Sequence, residues 1–157
     1  MAVKVGDKAP AFTLYDYDKK ARTLNEFQDK NTVLAFYPGA FTGVCTKEMC
    51  ALQDSMAQLN QMNAHVVGVS VDSPFANKAF ATQNKIAFPL LTDHDRAVST
   101  KYAGVYNDFG GVPGYTASKR AVFVLDRTGT VRYAWISEAP GVEPNYAEIQ
   151  SALAGIK

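Results

Sequence analysis

Short apolar runs alternate with helical stretches along this chain, and this alternation most restricts the folds that the chain can adopt. The run Thr32–Tyr37 is rich in β-branched and aromatic residues and ends at Pro38-Gly39, which predicts a buried strand closed by a turn. Val66–Val71 predicts a second buried strand. The stretch Thr42–Asn60 between them carries apolar residues at spacings of three and four, which predicts one amphipathic helix. This order indicates an α/β fold.

The other predicted elements complete a thioredoxin-like arrangement, in which a β-α-β unit precedes a β-β-α unit. We expect a central mixed β-sheet flanked by helices, an N-terminal β-hairpin extension, and a single domain over residues 1–157. The elements are the hairpin strands Phe12–Tyr15 and Lys20–Leu24, a helix from Ser73-Pro74 to about Lys85, a strand Phe88–Leu91, a helix Asp95–Tyr102, a glycine-rich loop Val105–Gly114, strands Ala121–Asp126 and Val131–Ile136, and a final helix Asn145–Ile156.

Composition narrows the function classes. The formal net charge of +1 gives no electrostatic reason to expect nucleic acid or an anionic membrane as partner. Every apolar run is far shorter than a membrane span, and the N-terminus lacks the apolar core of a secretory signal, so we expect a cytoplasmic protein. In a reducing compartment, the two cysteines are more often catalytic or metal-binding than structural.

Cys45 is the candidate reactive residue, because it follows a buried strand and falls in the first turn of the predicted helix. Backbone N–H groups without intrahelical partners and the positive end of the helix dipole meet there, which predicts a lowered thiol pKa and a nucleophilic thiolate. Thr42 stands where a helix N-cap or an active-site hydroxyl would lie. Pro38 removes a backbone donor and fixes the turn before the helix.

The pattern Pro38-x-x-x-Thr42-x-x-Cys45 resembles the signature of the peroxiredoxins, which are thiol-dependent peroxidases of thioredoxin-like fold. The resemblance extends over the whole chain. It includes Val5–Phe12, Glu48, Val66–Pro74 and Lys119–Gly129.

The resemblance implies a role for each matching residue. Cys45 would attack the peroxide, Thr42 would hydrogen-bond the bound peroxide, and Pro38 would shield the thiolate. Arg120 would hold the thiolate and stabilise the transition state, since fixed donors meet the charge that develops on the departing oxygen. Glu48, one helical turn after Cys45, would orient an arginine or, equally, be a surface carboxylate.

The spacing of Cys45 and Cys50 resembles the bacterioferritin-comigratory (PrxQ) branch, in which a resolving cysteine of the same helix forms an intramolecular disulfide. In an intact helix the two Cα atoms would be about 8–9 Å apart, beyond the ~7 Å that a disulfide allows, so the helix would have to unwind. Residues 40–45 and 120–132 look more like the AhpE or one-cysteine branches. There an outside thiol resolves the sulfenic acid, and Cys50 would be a helix residue without a redox role.

Other site classes fit the sequence less well. Two cysteines five residues apart lack two further zinc ligands, and we assign no role to the scattered His65 and His94. A Cys-x-x-Cys pair, a P-loop and a dinucleotide-binding glycine motif are absent, so we expect no cofactor. The predicted partners are a peroxide and a thioredoxin-like dithiol reductant. A peroxide sensor or holdase chaperone would use the same first step, and both monomer and homodimer stay open.

Overall fold

A β-sheet with helices on both faces forms the centre of the computed structural model, which describes residues 2–156. The ends of the predicted domain, Met1 and Lys157, lie outside the described residues. In that range the strands are β1 (Thr13–Asp16), β2 (Ala21–Thr23), β3 (Asn31–Phe36), β4 (Ala64–Ser70), β5 (Leu90–Thr92), β6 (Val105–Tyr106), β7 (Ala117–Ser118), β8 (Ala121–Leu125) and β9 (Val131–Ile136). The α-helices are α1 (Gly43–Asp54), α2 (Met56–Gln61), α3 (Pro74–Asn84), α4 (Ala97–Tyr102) and α5 (Tyr146–Ala154).

The sheet is mixed, as predicted. Its strand order within the described residues is β2-β1-β5-β4-β3-β8-β9. β3 and β5 both run parallel to β4, whereas β8 pairs antiparallel with β3 and β9. The predicted N-terminal hairpin is present, and β1 joins it to the sheet by pairing antiparallel with β5.

Side chains of the inner strand β3 point alternately into two cores, because successive residues of a strand face opposite sides. Val33 and Ala35 pack with residues of α1, α3 and α5. Leu34 and Phe36 pack on the other face with residues of α4 and of a short 3-10 helix, Leu24–Phe27. Burial on both faces explains why β3 reads as a continuous apolar run.

The single helix predicted over residues 42–60 is wrong, since the structure divides it at Ser55. The Ser55 hydroxyl donates to the Ala51 carbonyl at 3.0 Å, and its backbone N–H is shared between the carbonyls of Ala51 and Leu52. Such back-bonding competes with the regular helical ladder and bends helices. α1 therefore ends at Asp54, and α2 begins at Met56.

The glycine-rich loop predicted over residues 105–114 is more structured than expected. Val105 and Tyr106 pair with Ser118 and Ala117, so β6 and β7 form a small antiparallel sheet beside the main one. A short 3-10 turn follows at Phe109–Gly111. None of the helices in residues 2–156 is long and apolar enough to cross a membrane.

Candidate active site around Cys45

Cys45 lies in the first turn of α1, as predicted, and its side chain is 0 % exposed. Thr42 is the N-cap residue by backbone conformation, and its carbonyl accepts the N–H of Thr46 at 2.9 Å. The Thr42 hydroxyl does not cap the helix but donates to the Gly39 carbonyl at 2.8 Å. Because a carbonyl can only accept, this bond leaves the hydroxyl's lone pairs free for another donor.

Residues from other elements hold the turn between β3 and α1 in place. The Asp72 carboxylate, which follows β4, accepts the N–H of Ala40 at 2.8 Å. The next residue, Phe41, has a φ of +67°, a left-handed conformation that is strained for a bulky side chain. Its half-exposed ring packs edge-on against Phe80 of α3. Pro38 is buried at the start of this turn.

Arg120 reaches the sulfur from the strand beside β3, since its neighbour Ala121 pairs with Phe36. It stands just before β8, is 1 % exposed, and its Nη2 lies 3.3 Å from Cys45 Sγ. The carbonyl of Pro140 accepts from both Nε and Nη2 of the same guanidinium, at 3.1 and 2.8 Å. The guanidinium therefore bridges the sulfur and a main-chain carbonyl of the loop between β9 and α5.

Glu48 completes this group from one turn further along α1. Its Oε1 lies 3.6 Å from Arg120 Nη1, and the carboxyl is fully buried rather than at the surface. Within the described residues, neither oxygen accepts a hydrogen bond and Nη1 donates none. Burial raises the pKa of Glu48 to about 8, against the lowering effect of Arg120, and the nearby Glu143 raises it further. A neutral carboxyl is the form that such a site tolerates.

The predicted lowering of the Cys45 pKa is wrong for this arrangement. Burial raises the pKa of the thiol above its ordinary value, and this effect exceeds the opposing ones. Arg120, the Thr42 hydroxyl and the backbone of Gly39 each lower the same pKa. The family resemblance implied Arg120 and Thr42 at this site, but neither the contribution of Gly39 nor the depth at which the sulfur is buried was predicted.

Cys50 lies away from this group. Its Sγ is half-buried and 3.8 Å from Oδ1 of Asn84, at the end of α3. Both Cys45 and Cys50 are free thiols, and the helix that carries them is intact from Gly43 to Asp54. The structure thus brings Cys45, Thr42, Arg120 and Glu48 together and leaves Cys50 on another side of α1.

The two histidines, to which we assign no role, lie in other parts of the fold. His65 Nε2 lies 2.8 Å from Asp29 Oδ1 at the start of β4, and His94 is exposed in the loop after β5. Across residues 2–156, no group of three or more His, Cys, Asp and Glu side chains is placed to hold a metal ion.

The residues that hold Arg120 were missed by the sequence reasoning. The Tyr106 hydroxyl accepts the Arg120 N–H at 3.2 Å, Ser137 N–H donates to the Arg120 carbonyl at 2.9 Å, and Pro140 binds the guanidinium. Any residue type can offer a main-chain carbonyl, so the sequence contains no signal for the contact between Pro140 and Arg120. Tyr106 stood in a segment that was interpreted as a loop.

Comparison with known proteins agrees with this geometry. The sequence model of the AhpC/TSA family matches residues 5–134, which include the whole segment from Pro38 to Arg120. The chain belongs to the AhpC/TSA family. Its mixed sheet with flanking helices is the thioredoxin-like fold of solved peroxiredoxins.

Relatives of two kinds are found within the AhpC/TSA family. A chloroplastic peroxiredoxin Q of Populus jackii is 38 % identical over 130 residues, which are 83 % of this chain and 59 % of that protein. This chain thus spans about 59 % of the length of that relative. An alkyl hydroperoxide reductase E of Mycobacterium bovis is 37 % identical over 142 residues, 88 % of both chains.

Solved structures give the same picture. Peroxidoxin BcpB of Mycobacterium tuberculosis superimposes with a TM-score of 0.85 at 29 % identity, covering 98 % of both chains. A peroxiredoxin-like protein of Aquifex aeolicus gives a TM-score of 0.83 at 29 % identity, covering 98 % of this chain and 88 % of its own.

Proposed function

We propose that this protein is a thiol-dependent peroxidase that reduces hydrogen peroxide and organic hydroperoxides at Cys45. One observation carries the proposal: a buried guanidinium nitrogen of Arg120 lies 3.3 Å from the sulfur of a cysteine in the first turn of a helix. A fixed cation at this distance stabilises a thiolate and the charge that leaves it.

The proposed reaction needs only the Cys45 thiol and the hydroperoxide as reactants. The Cys45 thiol loses its proton, and its sulfur forms a bond to the nearer oxygen of ROOH as the O–O bond breaks. Cys45 becomes a sulfenic acid, and the departing RO⁻ takes up a proton to leave as an alcohol, or as water from hydrogen peroxide. Negative charge moves from sulfur to the departing oxygen, so the donors of Arg120 act on both ends of the transfer.

Thr42 is proposed to orient the peroxide. Its hydroxyl hydrogen is engaged by the Gly39 carbonyl, so the oxygen can accept the O–H of a bound hydroperoxide. Pro38, buried at the same turn, is proposed to keep water from the sulfur. Glu48, through Arg120, is proposed to act on the position of the guanidinium rather than on the peroxide.

Cys50 is proposed as the resolving residue. Its thiol would displace water from the Cys45 sulfenic acid and form an intramolecular disulfide, which a thioredoxin-like dithiol would reduce. The side chain now faces Asn84 and the helix is intact, so this step requires the first turns of α1 to unwind. The same facts favour a second candidate, a one-cysteine peroxidase whose sulfenic acid reacts with an outside thiol.

Turnover tests the function itself. With thioredoxin, its reductase and NADPH, we expect many equivalents of peroxide to be consumed per chain and none by Cys45→Ser. The matched variant Cys50→Ser keeps the first equivalent, because it leaves the sulfur and Arg120 in place. Consumption of only one equivalent by the unchanged protein, with any of several thiol reductants, would identify a sensor or a holdase instead of an enzyme.

The fate of the sulfenic acid is decided by intact mass after one equivalent of peroxide. A loss of about two mass units indicates a disulfide, whereas a gain of about sixteen indicates a stable sulfenic acid. Hydrogen exchange over residues 43–52 should increase on oxidation in the unchanged protein and not in Cys50→Ser. An oxidised protein with full protection of α1 would contradict resolution by Cys50.

Two free thiols fit a reducing compartment, so we propose a cytoplasmic location.

A further inference from the structure

Tyr106 places its hydroxyl at the point where Arg120 leaves the main chain. The hydroxyl oxygen accepts the Arg120 N–H at 3.2 Å and donates to the Ser137 carbonyl at 2.7 Å. Ser137 in turn donates its own N–H to the Arg120 carbonyl at 2.9 Å. One phenol therefore connects the residue before β8 with the residue after β9.

We propose that Tyr106 is a positioning residue for the proposed thiol chemistry, which fixes Arg120 against Cys45 through these two hydrogen bonds. The side chain does not touch the sulfur. It acts on the backbone from which the arginine side chain extends, and a small rotation there displaces the guanidinium at the far end of that chain.

The same hydroxyl also supports the second anchor of Arg120. The Pro140 carbonyl, which binds Nε and Nη2, lies three residues after Ser137. Ser137 closes a small turn toward it, since its Oγ donates to the Ala139 carbonyl and accepts the Ala139 N–H. Tyr106 thus holds both the backbone of Arg120 and the strand end that leads to Pro140.

Burial suits the Tyr106 phenol to this role. It raises the pKa of the hydroxyl above its ordinary value, against the lowering effect of the Arg120 backbone bond. The hydroxyl therefore keeps its proton for the Ser137 carbonyl throughout the neutral range. The ring stacks on Phe109, with centroids 6.1 Å apart, which fixes the direction of the hydroxyl.

The test is the rate at which iodoacetamide alkylates Cys45 as a function of pH, measured on Cys50→Ser chains so that one thiol reacts. We expect Tyr106→Phe to move the midpoint of this profile up by about one pH unit, which is about tenfold in thiolate at neutral pH. Tyr102→Phe is the matched control, because its hydroxyl also donates to a carbonyl, that of Pro10, on the opposite face of the sheet. That variant should lose stability without moving the midpoint.

Two further variants separate positioning from general loosening. Because Tyr106 acts through Arg120, Tyr106→Phe should move the midpoint by no more than a few tenths of a pH unit when Arg120 is already Lys. Ser137→Ala, which frees the turn at Pro140, should shift the midpoint in the same direction as Tyr106→Phe. It also provides the measurement if Tyr106→Phe does not fold.

The proposal is overturned if Tyr106→Phe leaves the midpoint unchanged. It is also overturned if Tyr106→Phe shifts the midpoint by the full amount in chains that already carry Arg120→Lys. Alkylation does not involve peroxide, so it reports the sulfur and arginine geometry independently of the proposed function. A chain that shows the predicted midpoints but consumes no peroxide would refute the peroxidase and leave the role of Tyr106 intact.

Discussion

Replacing Glu48 by glutamine tests the protonation state of the carboxyl beside Arg120. The side chain is 0 % exposed, its Oε1 is 3.6 Å from Arg120 Nη1, and it accepts no hydrogen bond from the described residues. Burial raises its pKa to about 8, although Arg120 lowers it. The carboxyl is therefore mostly protonated at pH 7, and a glutamine side chain has nearly its shape and the same charge.

The stability consequence follows from the two pKa values. In the unfolded chain the Glu48 carboxyl returns to about 4.5, so the folded protein binds one more proton than the unfolded chain between pH 4.5 and 8. The stabilisation is complete below pH 4.5 and is lost as the pH rises through about 8. A gap of about 3.5 pKa units at about 1.4 kcal/mol each makes the full loss about 5 kcal/mol.

The assay is urea unfolding of the wild-type chain and of Glu48→Gln at one-unit steps from pH 5 to pH 9. Every other titrating group is common to both chains and cancels in the difference between their free energies of unfolding. This difference should favour the variant by several kcal/mol more at pH 9 than at pH 5. Glu148→Gln, an exposed carboxylate on α5, is the control and should follow the wild-type profile.

Parallel profiles for the wild-type chain and Glu48→Gln would refute this reasoning. They would mean that Glu48 has the same charge in the folded and unfolded chains, and hence that it forms an ionised pair with Arg120. A variant that is several kcal/mol less stable at pH 5 would refute it as well, since the neutral carboxyl and the amide should be interchangeable there.

Three further outcomes are expected. Thr42→Val should slow peroxide consumption by about a hundredfold, because it removes the hydroxyl that we propose contacts the peroxide, whereas Thr46→Val should leave the rate nearly unchanged. Hydrogen bonds lower the pKa of the Asp126 carboxyl to about 2, although partial burial opposes them. Asp126→Asn should therefore lower the free energy of unfolding in urea by about 1 kcal/mol above pH 4, and this difference should vanish as the pH falls through about 2. Gly68→Ala should cost about 1–3 kcal/mol and lower the melting temperature, since the added Cβ would lie 2.6 Å from Cδ2 of Leu90.

The strand and helix pattern around the cysteine was predictable because it rests on local chemistry. Thr32–Tyr37 reads as a buried strand, and the structure places β3 at Asn31–Phe36 with every residue buried. Ser73 and Pro74 predicted a helix start, and the Ser73 hydroxyl caps α3 by accepting the Ala76 N–H at 3.1 Å. Caps, turns and apolar runs involve neighbours within a few residues, which a sequence displays directly.

The features that were missed depend on contacts across the fold. Apolar spacing continues through Ser55, so the side-chain bond that divides the helix there is invisible to a periodicity argument. The lowered thiol pKa was predicted from the helix terminus, whereas burial of the sulfur in the folded chain reverses the direction of the shift. Arg120 was found only because its position matches a family pattern, and the carbonyl that holds it lies 20 residues further on.

The partners of Arg120 explain how a deeply buried sulfur could react as we propose. A guanidinium held by carboxylates would have its charge compensated before any substrate arrived. Here its shortest bond goes to the Pro140 carbonyl, and Glu48 is mostly neutral at pH 7 because its pKa is about 8. The positive charge is therefore uncompensated until Cys45 ionises, and the thiolate becomes its counter-ion. Above pH 8 Glu48 is ionised and competes for that charge, so the advantage that Arg120 gives to Cys45 should decline there, after the loss of stability between pH 4.5 and 8 is complete.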